Sequence, residues 1–143
     1  MFIGEYKYTI DDKGRLAIPA KFRVKLGRGA VVTRGLDNCL FLYTKEEWEK
    51  LATRLANLPM AQANTRAFAR LMLAGAMDSD IDKQGRISLP DYLRKYADLK
   101  RNVVLAGLYN RLEIWSEEKW EQYKAETERT SVHIAEELGG LGV

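Results

Sequence analysis

The chain repeats itself, and that constrains its fold more than any single motif does. Ile10-Asp11-Asp12-Lys13-Gly14-Arg15-Leu16-Ala17-Ile18-Pro19 returns as Ile81-Asp82-Lys83-Gln84-Gly85-Arg86-Ile87-Ser88-Leu89-Pro90, beginning at residue 10 and again at residue 81, an offset of 71. An arginine follows each proline at the same distance, Arg23 and Arg94. After one inserted residue the echo continues at an offset of 72: Val31-Val32 with Val103-Val104, Gly35-Leu36 with Gly107-Leu108, Trp48-Glu49 with Trp120-Glu121. Self-similarity at a fixed spacing outranks a local match, and two copies make an internal duplication rather than a solenoid. Each copy spans about 70 residues, a size at which an isolated core is marginal. The 143 residues are therefore expected to share a core or to pack as two tight halves. The expected organisation is a first repeat over 5–47, connecting helices over 48–75, a second repeat over 76–119, and a C-terminal helix and tail over 120–143.

Within the first copy, Tyr6, Tyr8 and Ile10 alternate with Lys7 and Thr9, the period-2 signal of a half-buried strand. Asp11-Asp12-Lys13-Gly14 is turn chemistry, because aspartate can bond the following backbone and glycine tolerates positive φ. Leu16 and Ile18 then face one way and Arg15 and Ala17 the other, as Ile87 and Leu89 oppose Arg86 and Ser88. Each unit is predicted to be a β-hairpin with a left-handed glycine, Gly14 or Gly85. Ala17 and Ser88 are small and leave room for an approach to the arginine face. Pro19 and Pro90 suit the starts of short helices, the first stopped by Gly27. Further strands are expected near 30–34, 39–43, 102–106 and 111–115. Thr44-x-x-Glu47 is a capping box opening a helix whose Trp48, Leu51 and Leu55 share a face. Ser116 can cap the matching helix. Residues 61–75 are predicted as an alanine-rich helix with Phe68, Leu71 and Met72 on its apolar stripe, and the tail from about 128 is expected to fray.

Composition narrows the function classes. The chain is 46% hydrophobic and 30% charged, as a globular soluble protein is. No apolar run approaches the roughly 20 residues needed to cross a bilayer. The first residues lack the basic and apolar regions of a signal peptide. The single cysteine, Cys39, fits a reducing cytoplasm. Net charge is +3, but residues 1–76 hold 13 Lys and Arg against 7 Asp and Glu, and residues 77–143 hold 10 against 13. Residues 13–36 carry Lys13, Arg15, Lys21, Arg23, Lys25, Arg28 and Arg34 with no acid at all. Concentrated positive charge is the footprint of a polyanion binder, although a solvated basic face balanced by distant carboxylates has the same composition.

An enzyme is not expected. His133 is the only histidine and has no motif in common with Cys39, a histidine-containing zinc site would be short of ligands, and no glycine-rich phosphate loop is present. Asp78-x-Asp80-x-Asp82 looks like the start of an EF-hand loop, but Lys83 stands where glycine is required and Leu89 where glutamate is. No cofactor, metal, membrane or small-molecule substrate is implied. The remaining candidates are Asp11…Arg15 and Asp82…Arg86. One reading is structural, an ion pair across a tight turn. In the other, a twisted two-stranded ribbon enters the DNA major groove, where arginine pairs bidentately with guanine. In that reading Asp11, Gly14, Asp82 and Gly85 stabilise the turns, Arg15 and Arg86 reach bases or phosphates, and Lys13, Lys83, Arg23, Arg94 and Lys21 supply the surrounding positive charge. Arg15 carries more weight than Arg86, since Asp91 and Asp98 dilute the second patch.

These residues resemble the MraZ family, whose members carry two AbrB-like (SpoVT-AbrB) repeats. The resemblance runs over nearly the whole chain: Met1-Phe2-x-Gly4, both Asp-x-x-Gly-Arg units, both prolines, the capped helices and Leu73-x-x-Gly75. It implies a mainly β fold with packed helices, an AbrB-like swapped-hairpin or double-split β-barrel built from two internal repeats. It also implies a sequence-specific, DNA-binding transcriptional regulator, cytoplasmic and nucleoid-associated. Such a protein would bind promoter direct repeats of a cell-division and cell-wall gene cluster as a ring-shaped homo-oligomer. The family's Asp-x-x-x-Arg element maps onto Asp11/Arg15 and Asp82/Arg86. The alternative is an antitoxin-like or adaptor protein-interaction module, since folds of this kind host both.

Overall fold

The computed structural model describes residues 1–27 and 29–143; Arg28, one of the bases of the acid-free stretch, lies outside the described residues. The first copy runs β1 (Phe2–Thr9), β2 (Arg15–Ala17), α1 (Ala20–Leu26), β3 (Gly29–Arg34), β4 (Leu40–Tyr43) and α2 (Lys45–Ala56). After α3 (Ala63–Ala69) and a π-helical turn, Arg70–Ala74, the second copy repeats the order. It runs β5 (Met77–Asp80), β6 (Arg86–Ser88), α4 (Asp91–Tyr96), β7 (Asn102–Tyr109), β8 (Leu112–Ser116) and α5 (Glu117–Arg129). The chain closes with α6 (Ser131–Glu137) and a 3-10 turn, Gly139–Leu141. None of the described helices is long and apolar enough to cross a membrane.

The architecture is mixed α/β, and the copies are interleaved. One antiparallel sheet has the order β1-β7-β8-β4-β3-β5, and a second contains β2 and β6. Each copy's first strand pairs with the third strand of the other: β1 with β7 from Phe2↔Tyr109 to Thr9↔Asn102, and β5 with β3 from Gly29↔Asp80 to Val32↔Met77. The fourth strands meet at the centre, Leu40 opposite Ile114. The order reads the same from either end when the copies are exchanged. Two marginal cores have thus become one.

That exchange corrects the local hairpin. The turn is present, with Ile10 bridging Leu16, but β2 lays its ladder on β6 of the other copy: Arg15↔Ser88, Leu16↔Ile87 and Ala17↔Arg86. A period-2 pattern says that a strand exists without naming its partner. The swapped-hairpin barrel is also not met as a closed object. Among the described residues the two sheets stay separate ladders, joined near Ile10 by a single bridge.

The core lies between the large sheet and the ribbon with its flanking helices. Leu16, Ile18, Ile87 and Leu89 are almost wholly buried there, beside Phe22, Leu93, Leu105 and Ile114. Burying such a side chain contributes about 1.5–3 kcal/mol. The alternate residues of β4, Phe41 and Tyr43, point to the opposite face, where Leu55, Met72 and Trp115 cover them. Thr44 caps α2 by accepting from the Glu47 N–H at 3.1 Å, with Glu46 and Glu47 in the first turn, where carboxylates favour the helix dipole. Ser116 caps α5 at 3.5 Å.

Two further expectations change. The helix expected over 61–75 is α-helical only over Ala63–Ala69 and then widens into the π turn. The buried Thr33 hydroxyl donates to the Met72 carbonyl at 2.6 Å, and a side chain entering the ladder in this way is a known cause of helix distortion. The tail forms α6 and the 3-10 turn instead of fraying.

Candidate nucleic-acid interface

The β2–β6 ribbon brings the two Asp-x-x-Gly-Arg units together, face to face. In the first turn, Asp11 Oδ1 accepts from the backbone N–H groups of Lys13 and Arg15, each at 2.9 Å, and Oδ2 accepts from Arg15 Nε at 2.7 Å. In the second, Asp82 Oδ1 accepts from the N–H groups of Gln84 and Arg86, each at 2.9 Å, and Oδ2 from Arg86 Nε at 2.9 Å. Gly14 and Gly85 close the loops at φ 78° and 77°, their N–H groups donating to the Asp11 and Asp82 carbonyls. A glycine accepts this region without the Cβ penalty of other residues.

Both carboxyls are held below the ordinary aspartate range. The main cause in each is the backbone N–H of Arg15 or Arg86, assisted by that arginine's side chain. Arg86 also lies 3.7 Å from Asp11 Oδ2, so one carboxylate meets the arginines of both copies. The ion pairs across the turns thus form as the structural reading expects. Their orientation leaves more than that reading requires. Each guanidinium spends Nε on its aspartate, which fixes its plane, and the Arg15 and Arg86 side chains remain 32% and 26% exposed. Directly across the ladder from each arginine is a small residue of the other copy, Ser88 opposite Arg15 and Ala17 opposite Arg86. A planar fork oriented through Nε, with no bulky neighbour across the ladder, suits bidentate recognition.

Arg23 and Arg94 reach across the copies, which the spacing did not reveal. Arg23 Nε donates to the Ile18 carbonyl at 2.8 Å and Arg94 Nε to the Leu89 carbonyl at 3.0 Å. Those strands continue the ribbon through Ile18 N–H to Gly85 carbonyl and Leu89 N–H to Gly14 carbonyl, each 2.9 Å. A Cβ on Gly85 would collide with the Arg23 guanidinium, and one on Gly14 would press on that of Arg94 at 3.0 Å. Each arginine therefore packs on the other copy's turn. The one readable signal was the shared offset of Arg23 and Arg94 from the turns.

Lys13 and Lys83 stand exposed in the turns. Lys21 lies on α1, its ammonium 4.5 Å from the Tyr6 ring centroid. Asp78 pairs with Lys45 at 3.5 Å, and Asp82 serves the turn. Cys39 is buried, donates to the Leu36 carbonyl at 3.2 Å, and is kept protonated by burial, which pushes its thiol well above the usual range.

A duplicated chain whose copies exchange strands, and whose paired arginine turns share one ribbon, defines a class of two-repeat proteins. This chain belongs to the MraZ family: the family model described as "MraZ protein, putative antitoxin-like" matches it twice, over residues 1–71 and 72–139. It is 50% identical over 138 residues, 96% of each chain, to a protein of Natranaerobius thermophilus named Transcriptional regulator MraZ. Proteins of the same name from Halothermothrix orenii and Ligilactobacillus salivarius are 49% identical over 143 residues, all of each chain, and 51% identical over 138 residues, 96% of each. These relatives are named for regulation and not for a reaction.

Proposed function

We propose that this chain is a DNA-binding transcriptional regulator, not an enzyme, and that it reads double-stranded DNA through the β2–β6 ribbon. The observation that carries the reading is the pair of arginines on one ribbon face, each aimed by its own aspartate and each facing a small residue. The names of its relatives support it. Arg15 and Arg86 contact base edges or phosphates. Lys13, Lys83, Lys21 and the terminal nitrogens of Arg23 and Arg94 hold the phosphate backbone, while Asp11, Gly14, Asp82 and Gly85 keep the turns rigid. The interleaved ladders are the single-chain counterpart of a swapped-hairpin barrel.

One ribbon offers few contacts, and nonspecific phosphate binding has a Kd of roughly 10⁻⁴–10⁻⁶ M. Linking copies in a homo-oligomer makes later contacts intramolecular and raises avidity about 10²–10⁴-fold. In line with what the family resemblance implies, we propose a ring-shaped assembly on promoter direct repeats of a cell-division and cell-wall gene cluster, in the cytoplasm and at the nucleoid.

The test is a gel shift on the DNA upstream of the protein's own gene. Each lost base contact is expected to cost about 1–3 kcal/mol, so the double variant Arg15→Ala, Arg86→Ala loses binding by tenfold or more. Unchanged binding by the folded double variant overturns the assignment. The antitoxin-like description of the family favours a second reading, a protein-interaction module. Binding that weakens steeply with salt selects DNA; co-purification of a stoichiometric small protein selects the module.

A further inference from the structure

Exchange of the two copies leaves the β2–β6 ribbon almost unchanged, since Arg15 faces Ser88 as Arg86 faces Ala17. Taken alone, such a ribbon accepts a duplex in either of two opposite orientations. Its two sides are not alike. On one side β1, α1 and the Gly85 turn come together: Phe22 packs edge-on against Phe2 and Tyr6, and Arg23 lies against Gly85. On the other, β5, the start of α4 and the Gly14 turn enclose a cleft of about 500 Å³ whose walls include Lys13, Asp78, Asp80 and Arg94.

Four equivalent positions give the sides opposite charge. Lys7, Thr9, Lys21 and Lys25 on the first correspond to Asp78, Asp80, Tyr92 and Tyr96 on the second, all at the offset of 71, a formal +3 against −2. Glu117 at 3.6 Å blunts Lys7 and Lys45 at 3.5 Å blunts Asp78, so the contrast is carried mainly by Lys21 and Lys25 against Asp80. The turns add to it: Lys83 stands in the turn beside α1, whereas Asp12 and Lys13 cancel in the turn beside α4. On α4 itself Asp91 answers Lys95 at 2.9 Å. Lys100 and Arg101 share a separate hollow with Glu117, Glu118 and Glu121. Summed charges of this kind steer a polyanion toward one side and away from the other.

We propose that the duplex crosses the ribbon in one orientation only. It runs out over α1, where Lys21, Lys25 and Lys83 meet its phosphates, and Asp78 and Asp80 keep it off the α4 side. A symmetric pair of arginines reads the base edges, and the unlike flanks set the direction of reading. A single chain then has a front and a back on DNA. The inference rests on the DNA reading above and adds a polarity to it.

Cutting of DNA by a tethered iron chelate shows which side of the protein the duplex occupies. Val24 on α1, which is 88% exposed, and Lys95 on α4 are equivalent positions, and neither is assigned a DNA contact. Val24 is three residues from Lys21, which puts a label there on the same helix face. Val24→Cys and Lys95→Cys of the full chain are each coupled to the chelate and bound to the DNA upstream of the protein's own gene. Cys39 is buried, and wild type treated in the same way supplies the background. Val24→Cys is expected to cut beside each footprint, and Lys95→Cys to stay at background. Lending β5 the residues of β1, by adding Asp78→Lys and Asp80→Thr to the Lys95→Cys chain, should bring up cutting from position 95. Equal cutting from both positions, or cutting from position 95 alone, overturns the orientation and leaves DNA binding standing. An exchange that leaves position 95 silent overturns the part given to the aspartates. Absence of any footprint with wild type removes the DNA reading and the orientation with it.

Discussion

Lys21 and Lys25 on α1 occupy the positions that Tyr92 and Tyr96 hold on α4, at the same offset of 71. The lysines lay their ammonium groups 4.5 and 4.8 Å from the Tyr6 and Phe2 ring centroids, stems packed and heads toward water. The tyrosines instead donate to the Gly75 and Gly35 carbonyls at 2.9 and 2.6 Å, mooring α4 to the connector and to the end of β3. Lys7 on β1 is likewise answered by Asp78 on β5. Between these unlike flanks, the turns share their local hydrogen bonds and glycine φ values one degree apart, with Arg86 reaching across to Asp11 as well. The strands β2 and β6 pair with each other, so the backbone of one half limits the backbone of the other. The flanks have no such tie and have diverged in charge. At these positions the first half carries cations and the second carries hydrogen bonds that hold its helix in place.

The strongest way to break the comparison is at the glycines. Alanine at a left-handed position costs about 1–3 kcal/mol. Gly85→Ala should cost more than Gly14→Ala, because its Cβ must also displace the Arg23 guanidinium from Ile18. Urea midpoints of the two variants check the order, and equal losses would mean that the crossing arginines do not stiffen the turns. A gentler probe lends one half the chemistry of the other. Lys21→Tyr should leave stability within about 0.5 kcal/mol, as surface changes do. It should make the dependence of DNA affinity on log salt shallower by about 0.9, the slope of one lost phosphate contact. Smallest of all, acid should not distinguish the halves. Asp11 and Asp82 both have lowered folded values, so their stabilisation is present above the ordinary aspartate range near 3.8 and disappears as pH falls through the lowered values. Thermal midpoints between pH 2 and 6 should fall on the acid side, and Asp11→Asn and Asp82→Asn should flatten that fall equally.

Much of this was legible in the residues. The strand ends near 30–34 and 39–43, the Thr44 cap and the left-handed Gly14 and Gly85 follow from short-range chemistry, and each is in place. The aspartate–arginine contact within each turn was readable from its four-residue spacing. Partnership was not. Nothing local in Arg15-Leu16-Ala17 says that Arg86-Ile87-Ser88 lies beside it, because alternation sets which face is buried and leaves the neighbouring strand open. Arg23 reaching Gly85, and Arg86 reaching Asp11, are consequences of that pairing and were hidden with it. The tie between the π turn and β3 was hidden for the same reason, since Thr33, whose hydroxyl donates to the Met72 carbonyl, lies 39 residues from it.

The exchanged ladders also set a timetable for synthesis. Phe2 pairs with Tyr109 and Thr9 with Asn102, so β1 leaves the ribosome about a hundred residues ahead of the strand that will cover its edge. At roughly 5–20 residues per second, that is a wait of about 5–20 s for a nascent chain. During it, Phe2, Tyr6 and Tyr8 have no native partner from the second copy. Through that interval the edge of β1 stays uncovered, and the first half cannot finish folding before the second half has been made.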